Sequence, residues 1–412
     1  MAQQTFVIIG GGQAGASAAA TLREEGFTGR VVLLAGEDEV PYERPPLSKD
    51  YLSGTAERSS AQINPQPWYA DHDIDLRLGE RVHALDTDAH EVVLAGGERL
   101  GYDKLLLATG AAPRTLGGAD FPDLAGVHYL RTYADSEALR DALASGDRRV
   151  VIVGAGWIGL EVAAAARGYG NPVTVLGRED VPLEPALGAE LGGYFGDLHV
   201  RNGVDLRMHV EVAGFEGSED RVTGVRLASD EVVPADVVVV GIGAVPNTDL
   251  VEAAGLAVDD GVLVDASLSA GQDVYAAGDV ANAMHPVLGQ RLRVEHWAHA
   301  DRQGKAAARS MLGQDVSYDR VPFFFTDQYD LGMELCGYGP LMSHARVVYR
   351  GDVASGEFIA FWVTGNGDPV RVVGGMNVNI WDVNDQIAAL VSSGRSVELS
   401  RLSDPDIDLG DL

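Results

Sequence analysis

The fold of this chain is decided by residues 6–15, which read FVIIGGGQAG, and by residues 150–159, which read VVIVGAGWIG. Each stretch is a short apolar run that enters the spacing G-x-G-x-x-G and leads into an alanine-rich segment. This strand–turn–helix pattern is typical of the dinucleotide-binding unit, in which free N–H groups at the helix start receive a pyrophosphate. Two copies in one chain predict two bound dinucleotides, and a protein that holds two usually moves a hydride between them.

The glycines of the first copy have distinct predicted tasks. Gly10 allows a tight turn, Gly12 lets the backbone approach a pyrophosphate, and Gly15 lets the helix pack closely on the sheet. A second apolar strand at 30–34 ends just before Glu37. That carboxylate lies about 20 residues beyond the turn, where an acid accepts the hydroxyls of a ribose.

The second copy differs from the first at the position expected for an acid. After the apolar strand at 172–176 the chain reads Gly177-Arg178-Glu179, so the carboxylate that would suit NAD is missing from position 177. Arg178 can pair with the 2′-phosphate of NADP, whereas Glu179 can reach the ribose hydroxyls of NAD. The sequence leaves both alternatives open.

Composition bounds the class of protein. A chain of 412 residues is too long for one core and suits two or three domains. The formal net charge of −30 argues against nucleic-acid binding, which needs a basic surface. One cysteine, Cys336, excludes a disulfide framework, and the histidines show no metal-ligand spacing, so we expect no metal. The first strand begins near the N-terminus and no apolar run reaches the length of a membrane span, which predicts a cytoplasmic protein.

The order of apolar runs predicts one nucleotide-binding unit inserted into another. Strands at 105–110 and 237–243 close the two units, and the run at 274–280 with a helix at about 296–312 returns to the first. The last 90 or so residues alternate aromatic strands with a helix near 382–393. The predicted fold class is therefore α/β, with two Rossmann-like domains, one inserted in the other, and a C-terminal α+β domain.

Several motifs carry a resemblance to a known family. They are RPPLSK at 44–49, ATG at 108–110, YAAGD at 275–279 and VEHW at 294–297, together with both glycine turns and Glu161. On these the chain resembles the two-dinucleotide flavoprotein reductases, and most closely the branch of ferredoxin, putidaredoxin and rubredoxin reductases. That branch also includes apoptosis-inducing-factor-like proteins and monodehydroascorbate reductase. The resemblance covers nearly the whole chain.

The resemblance implies three domains and two cofactors, FAD and NADH or NADPH. The implied limits are 1–113 with 242–320 for the FAD-binding domain, 114–241 for the NAD(P)-binding domain and 321–412 for the C-terminal interface domain. The residues implied to hold FAD are Gly10, Gly12, Gln13, Ala14, Gly15, Glu37, Arg44, Lys49, Val82, Thr109, Gly110, Arg131, Asp279, His296, Trp297 and Phe325. Those implied around the nicotinamide dinucleotide are Gly154, Gly156, Ile158, Gly159, Glu161, Arg178, Glu179, Gly243 and Glu295.

Lys49 and Glu161 are the implied catalytic residues. A hydride arriving at the flavin N5 leaves negative charge on the ring, and a buried cation at Lys49 would stabilise it. A lysine alone in such a site tends to lose its proton, and Glu161 would keep it charged and oriented.

The implied function is the transfer of a hydride from NAD(P)H to FAD, followed by single electrons to a [2Fe–2S] ferredoxin that feeds a P450 or a ring-hydroxylating dioxygenase. Because ferredoxins are usually acidic, the predicted docking residues are Arg291, Arg293 and Arg302. Two alternatives stay open: a reductase of a small radical or quinone, and a redox sensor like the apoptosis-inducing-factor proteins. We expect a monomer or homodimer. The chain departs from the family at Phe325, where the branch usually carries a tryptophan, and at position 177.

Overall fold

The computed structural model describes residues 3–365 and 367–412, which fall into two compact units. Unit 1 comprises Met1–Arg44, Glu57–Ala112 and Ala244–Arg320. Unit 2 comprises Pro45–Ala56, Pro113–Gly243 and Val321–Leu412. Within the described ranges, every helix is too short or too polar to cross a bilayer.

Strands and helices are numbered in chain order. The first fourteen strands are β1 Thr5–Ile9, β2 Arg30–Leu34, β3 Ile74–Arg77, β4 Val82–Asp86, β5 Glu91–Leu94, β6 Arg99–Gly101, β7 Lys104–Leu107, β8 Ala111–Pro113, β9 Val127–His128, β10 Val150–Val153, β11 Val173–Leu176, β12 Val204–Arg207, β13 Val212–Ser218 and β14 Arg221–Leu227. The other strands among the described residues are β15 Val232–Pro234, β16 Val237–Val240, β17 Ala244–Pro246, β18 Val262–Val264, β19 Ser269–Gly271, β20 Val274–Ala276, β21 Ala281–His285, β22 Gln290–Leu292, β23 Phe323–Gln328, β24 Leu331–Gly337, β25 Arg346–Asp352, β26 Glu357–Thr364, β27 Val370–Val378 and β28 Ser396–Val397. The α-helices of the same ranges are α1 Gln13–Glu24, α2 Gln66–Asp71, α3 Tyr133–Leu143, α4 Trp157–Gly168, α5 Glu184–Leu187, α6 Ala189–Arg201, α7 Asp249–Ala253, α8 Trp297–Met311, α9 Gly339–Met342, α10 Asn384–Ser393 and α11 Leu399–Ser403.

Unit 1 is organised around a sheet with the strand order β19-β20-β7-β1-β2-β3. Strands β20, β7, β1, β2 and β3 run parallel, and β1 is apolar and buried from Phe6 to Ile9 because both faces of a parallel sheet are covered. Helices α1 and α8 pack against each other through small residues. Two three-stranded sheets, β4-β5-β6 and β18-β21-β22, also belong to the unit.

Unit 2 repeats the same design and adds the C-terminal layer. Its parallel sheet has the order β12-β11-β10-β16-β9, with the valine-rich β10 and β16 fully buried at the centre. The three strands of the sheet β13-β14-β15 lie in the chain between β12 and β16. The antiparallel order β23-β24-β27-β26-β25, with β28 added to β27, forms the sheet of the last 90 or so residues.

The predicted fold class is confirmed, including the insertion of one Rossmann-like unit into the other. The three domain limits stay a prediction, because the units group the chain differently: residues 45–56 belong to unit 2, as does the C-terminal sheet. Strand β26 shows a further difference. The aromatic run was expected to alternate, but Phe358 through Val363 are all buried, because β26 is a central strand with α10 and α6 contributing to its surroundings.

Candidate functional site

The first glycine turn has the shape that a pyrophosphate requires. Gly10 has a φ of +123°, and a Cβ there would lie 2.0 Å from the carbonyl oxygen of Ala108. A Cβ on Gly15 would lie 2.0 Å from the carbonyl oxygen of Gly10, so both positions need glycine. A Cβ on Gly12 would meet nothing within 4 Å, and α1 begins there without a side-chain cap or an acidic first turn. Open space beside uncapped N–H groups fits a bound phosphate.

Helix α8 closes the back of this turn. A Cβ on Gly304 would approach the carbonyl oxygen of Ala14 to 2.2 Å, so the two helices meet at backbone distance. Asp301 accepts hydrogen bonds from Ser17 at 2.8 Å and from Gln13 Nε2 at 3.4 Å. The predicted residues Gln13 and Ala14 are therefore fixed by a helix that lies almost 300 residues later in the chain.

Glu37 lies in a hydrogen-bonded group with two residues of the adjacent loop. Its carboxylate accepts from the Tyr42 hydroxyl at 2.6 Å and from Arg44 Nη2 at 2.7 Å. Burial tends to lower the pKa of Arg44, but Tyr42 and Glu37 outweigh burial and raise it. The structure thus brings the predicted Glu37 and Arg44 together, and Tyr42 connects them.

The ATG segment lies against the first turn and is tied to a later loop. Thr109 donates its hydroxyl to the carbonyl oxygen of Asn247 at 2.9 Å, and Asn247 Nδ2 donates to the carbonyl oxygen of Thr109 at 2.7 Å. Gly110 has a φ of +68°, which favours glycine. Val82 begins β4 and packs against the core of unit 1, so its contact with a cofactor stays a prediction.

The YAAGD segment is held by two side chains from later in the chain. Gln303 Oε1 accepts from the backbone N–H of Gly278 at 2.9 Å, and Arg293 Nη1 donates to the carbonyl oxygen of Asp279 at 3.3 Å. Arg293 also pairs with Glu295 and, at 3.1 Å, with Asp260. Arg293 therefore connects Asp279 with Glu295, a contact that the sequence motifs did not indicate.

His296 and Trp297 begin helix α8. His296 is its N-cap residue, and His296 Nδ1 accepts from the backbone N–H of Ala298 at 3.3 Å. Trp297 is the first helical residue and is half-buried. Their place at the start of a helix that packs on α1 is consistent with the predicted cofactor role, which stays a prediction.

The second glycine turn, in unit 2, repeats the geometry of the first. Gly154 has a φ of +110°, and a Cβ there would lie 2.2 Å from the carbonyl oxygen of Gly241. A Cβ on Gly159 would lie 2.2 Å from the carbonyl oxygen of Gly154, whereas a Cβ on Gly156 would meet nothing within 4 Å. Helix α4 begins uncapped after Gly156, and the Ile158 side chain is 48 % exposed. An exposed isoleucine beside an uncapped glycine turn is suited to contact a ligand bound there, and the cofactor role of Ile158 stays a prediction.

Two other predicted residues of unit 2 shape the backbone. Gly243 has a φ of +102°, and its carbonyl oxygen accepts from the backbone N–H of Arg114 at 2.8 Å. Arg131 donates its backbone N–H to Asp135 Oδ2 at 3.1 Å, next to the capping box that begins α3. These contacts explain the local structure, and the cofactor roles of Gly243 and Arg131 stay predictions.

Lys49 and Glu161 form a buried ion pair. Only 11 % of the Lys49 side chain and 4 % of the Glu161 side chain are exposed. Glu161 Oε2 also accepts from the Ser48 hydroxyl at 2.5 Å, and Oε1 accepts from the Thr326 hydroxyl at 2.6 Å. A buried charge pair is tolerated when further hydrogen bonds satisfy its remaining lone pairs, and both oxygens of this carboxylate are satisfied.

The hydrogen bonds continue from Glu161 through the C-terminal sheet. Gln328 Nε2 donates to the Thr326 hydroxyl at 3.2 Å, and Gln328 Oε1 lies 2.8 Å from His199 Nε2. His199 Nδ1 in turn lies 3.2 Å from the Tyr329 hydroxyl. Burial lowers the pKa of His199, with the bond to Gln328 opposing it, so the ring is neutral at neutral pH. We name Ser48, Thr326, Gln328 and His199 the carboxylate-positioning network.

Phe325 lies beside the ion pair. Lys49 Nζ is 5.5 Å from the centroid of the Phe325 ring, a distance at which a cation and an aromatic face attract. Partial burial raises the pKa of the neighbouring Asp327, with Lys49 opposing that rise. The residue that departs from the family pattern therefore contacts the predicted catalytic lysine.

The arginines predicted to dock a ferredoxin have other contacts in unit 1. Arg291 Nη1 donates to the carbonyl oxygens of Val264 at 2.9 Å and Asn282 at 2.7 Å, so it links strands β18 and β21. Arg293 is occupied by two carboxylates and is 14 % exposed. Arg302 is exposed on α8. Of the three, Arg302 is the one whose exposure suits a docking residue.

The sequence analysis did not predict the roles of Ser48 and Thr326, whose hydroxyls donate to Glu161, or of Tyr42, whose hydroxyl donates to Glu37. Ser48 stands next to Lys49 in RPPLSK, and Thr326 follows Phe325 directly, so the sequence contained the signal. Their role was hidden because Glu161 is 113 residues from Ser48 and 165 from Thr326. Within residues 3–365 and 367–412, no three histidine, cysteine or acidic side chains group as a metal site.

Comparison with known proteins agrees with this arrangement. A family model described as pyridine nucleotide-disulphide oxidoreductase matches residues 4–304, and one described as reductase C-terminal matches residues 323–412. The chain is 40 % identical to the ferredoxin–NAD(+) reductase component of the anthranilate 1,2-dioxygenase system of Burkholderia cepacia, with 99 % of each chain covered. It is 39 % identical to rhodocoxin reductase of Rhodococcus erythropolis, over 98 % of this chain and 93 % of that one.

A solved structure gives the same result. The crystal structure of a covalent putidaredoxin reductase–putidaredoxin complex matches with a TM-score of 0.93 and 33 % identity, covering 100 % of this chain and 98 % of the other. Proteins of this family use FAD and NAD(P)H. The chain therefore belongs to the pyridine nucleotide-disulphide oxidoreductase family and, within it, to the branch of ferredoxin and putidaredoxin reductases.

Proposed function

We propose that this protein is an NAD(P)H-dependent reductase of a [2Fe–2S] ferredoxin that serves a P450 or a ring-hydroxylating dioxygenase. The observation that carries the proposal is the buried Lys49–Glu161 pair in a chain with two phosphate-binding turns. Full-length relatives named as reductase components of dioxygenase systems support it. The structure named for a reductase–putidaredoxin complex supports a small redox protein as partner.

Unit 1 would hold the pyrophosphate and adenosine of FAD, and unit 2 the nicotinamide dinucleotide. The first glycine turn would bind the FAD pyrophosphate, with Glu37 and Arg44 toward the adenosine, while Thr109, Asp279 and His296 line the same cofactor. FAD, when bound, takes a two-electron hydride and gives up electrons singly, which a nicotinamide cannot do. The other residues predicted for the two cofactors in the sequence are retained in this proposal.

The ion pair would supply the electrostatics of this chemistry. The Lys49 ammonium would stabilise negative charge that develops on the flavin, and Glu161 would keep that ammonium charged and oriented. The hydroxyls of Ser48 and Thr326 hold the carboxylate in place. Phe325 would cover an aromatic ring by packing, without the indole N–H that the family tryptophan provides.

The test is cytochrome c reduction by the purified flavoprotein, driven by NADH or NADPH, with and without an added [2Fe–2S] ferredoxin. Strong stimulation by ferredoxin is expected. Free reduction of quinones or small dyes without any stimulation by several ferredoxins would favour a reductase of small radicals or quinones. Slow turnover with a long-lived complex of flavin and nicotinamide would favour a redox sensor.

We propose Arg302 as a docking residue for the ferredoxin, since an acidic partner would be attracted to an exposed cation on an otherwise acidic protein. Arg302→Glu is expected to raise the KM for ferredoxin several-fold at low salt and to leave flavin reduction by NADH unchanged. Lys305→Glu, one turn away on α8, is the matched control for charge alone. Equal effects of both variants would mean that net charge, and not docking at Arg302, is responsible.

We also propose a cytoplasmic location, because the one cysteine permits no internal disulfide and suits a reducing compartment. Fractionation of the source cells tests this. The predicted monomer or homodimer is tested by sedimentation of the purified flavoprotein.

A further inference from the structure

The two nucleotide-binding units share a backbone frame that extends beyond their glycine turns. The N–H of Gly10 donates to the carbonyl oxygen of Leu34 at 2.8 Å, and the N–H of Gly154 donates to that of Leu176 at the same distance. Leu34 and Leu176 are the last residues of β2 and β11. The residues after these two strands can therefore be compared position by position.

The first residue after each strand is held in the same way. The N–H of Ala35 donates to the carbonyl oxygen of Arg77 at 2.9 Å, and the N–H of Gly177 donates to that of Arg207 at 3.0 Å. Arg77 and Arg207 are themselves the last residues of β3 and β12. Position 177 thus corresponds to position 35, which is not an acid in unit 1 either.

The third residue after each strand is an acid in both units. The carbonyl oxygen of Glu37 accepts from the N–H of Gly79, and that of Glu179 accepts from the N–H of His209, both at 3.0 Å. Gly79 and His209 share a left-handed conformation, with φ of +69° and +59°. Glu179 is therefore the counterpart of Glu37, the residue expected to meet a ribose in unit 1.

Burial follows the same register. Ala35 and Gly177 are buried, the residues after them, Gly36 and Arg178, are exposed, and the two glutamates are half-buried. Arg178 thus occupies an exposed position whose counterpart in unit 1 carries no side chain.

The residues around position 177 explain why the acid is displaced. A Cβ on Gly177 would lie 2.4 Å from Met208 Cε and 3.1 Å from the Cβ of Ala155. In unit 1 the pair is reversed, because a Cβ on Gly11 would lie 2.5 Å from that of Ala35. Each unit thus leaves room for one methyl group between turn and strand end, and a longer side chain at 177 would require Met208 to move.

We propose that Glu179 is the ribose-binding carboxylate of unit 2 and makes the enzyme selective for NADH over NADPH. Within the described residues, the Glu179 carboxylate has no hydrogen bond or ion pair, so it is available to a ligand, whereas Glu37 is bonded to Tyr42 and Arg44. An unneutralised carboxylate accepts the 2′-hydroxyl and repels a 2′-phosphate at the same place. This inference rests on the proposed use of a nicotinamide dinucleotide.

The test uses the flavin-loaded full chain and two measurements. Calorimetry gives the Kd of ADP-ribose and of 2′-phospho-ADP-ribose, and anaerobic stopped-flow gives the rate of flavin reduction by NADH and by NADPH. A hydrogen bond to a charged group corresponds to about ten- to hundred-fold in affinity. We expect the natural protein to bind ADP-ribose at least about ten-fold more tightly than its 2′-phosphate. Glu179→Gln is expected to remove most of this preference.

Asp180→Asn is the matched control, since it removes the adjacent carboxylate, which is exposed and lies beside His209. It is expected to leave the Kd of ADP-ribose within about twofold of its natural value. Tighter binding of the 2′-phosphate by the natural protein, or its loss in Arg178→Gln with no effect of Glu179→Gln, would overturn the proposal. A flavin that NADH reduces with the expected preference, in a protein that reduces no ferredoxin, would overturn the ferredoxin function and leave this inference standing.

Discussion

Replacement of Glu161 by glutamine tests whether the Lys49–Glu161 pair is an electrostatic unit. The change removes the negative charge but keeps an amide oxygen that accepts a hydrogen bond from Ser48 or Thr326. Lys49, which is 11 % exposed, then becomes a buried cation without a counter-charge. Breaking a buried pair in this way costs about 3–5 kcal/mol of unfolding free energy. The variant should also reduce its flavin more slowly with NADH.

The double variant Lys49→Met with Glu161→Gln separates charge from packing. Because it removes both charges, its unfolding free energy should lie within about 1–2 kcal/mol of the natural protein, far less than the sum of the single changes. A surface comparison is Asp75→Asn, which breaks the pairs of the partly exposed Asp75 with Arg30 and Arg77 and should cost about 1 kcal/mol.

The assay for both is urea unfolding of the purified protein, followed by circular dichroism. The reasoning would be refuted by a Glu161→Gln variant as stable as Asp75→Asn. A double variant whose destabilisation equals the sum of the single ones would also refute it, because the two charges would then be independent.

Three further outcomes follow from the geometry. Thr326→Val, which removes a buried hydrogen bond to a charged group, should lower the unfolding free energy by about 1.5–3 kcal/mol, and Thr326→Ser should restore most of it; equal unfolding curves would contradict the positioning network. Burial lowers the pKa of His299 to about 3, below the 6.5 of the unfolded chain, so the folded state binds fewer protons and stability falls as pH drops below 6.5. Between pH 7 and pH 5 this loss is about 2 kcal/mol, and urea unfolding should show it vanish in His299→Gln but not in the exposed-residue control His83→Gln. Gly12→Ala adds a methyl into open space and should reduce bound flavin, measured by absorbance, with little change in urea stability, whereas Gly15→Ala clashes with backbone and should lower stability; the reverse order would exclude the phosphate role of the first turn.

The glycine turns and the apolar central strands could be predicted from the sequence because they depend on neighbouring residues. A turn that needs glycine for a left-handed φ and for close helix packing is specified by the spacing of a few residues, so the sequence alone predicts both dinucleotide-binding units. The apolar strands β1, β10 and β16 were equally clear, because a parallel sheet buries both faces of its central strands. The insertion of one unit in the other followed from their order along the chain.

The tertiary structure decided what the charged residues do. The sequence predicted Arg291 and Arg293 as docking residues. In the structure Arg291 donates to backbone carbonyls and Arg293 pairs with carboxylates, all within unit 1. A cationic side chain binds the acceptor oxygens that packing brings close to it. Such partners are set by the packing of distant elements and leave no mark in local spacing.

The sequence by itself determined that this chain folds into two dinucleotide-binding units, joined to a C-terminal layer, with a lysine and a glutamate in characteristic motifs. Only the tertiary structure showed that Glu161 is held by hydroxyls from Ser48 and Thr326, and that Glu179 corresponds to Glu37. The physical reason is that glycine spacing and apolar periodicity are properties of neighbouring residues, whereas hydrogen bonds across 113 or 165 residues and the register between two strands exist only after the sheets have formed.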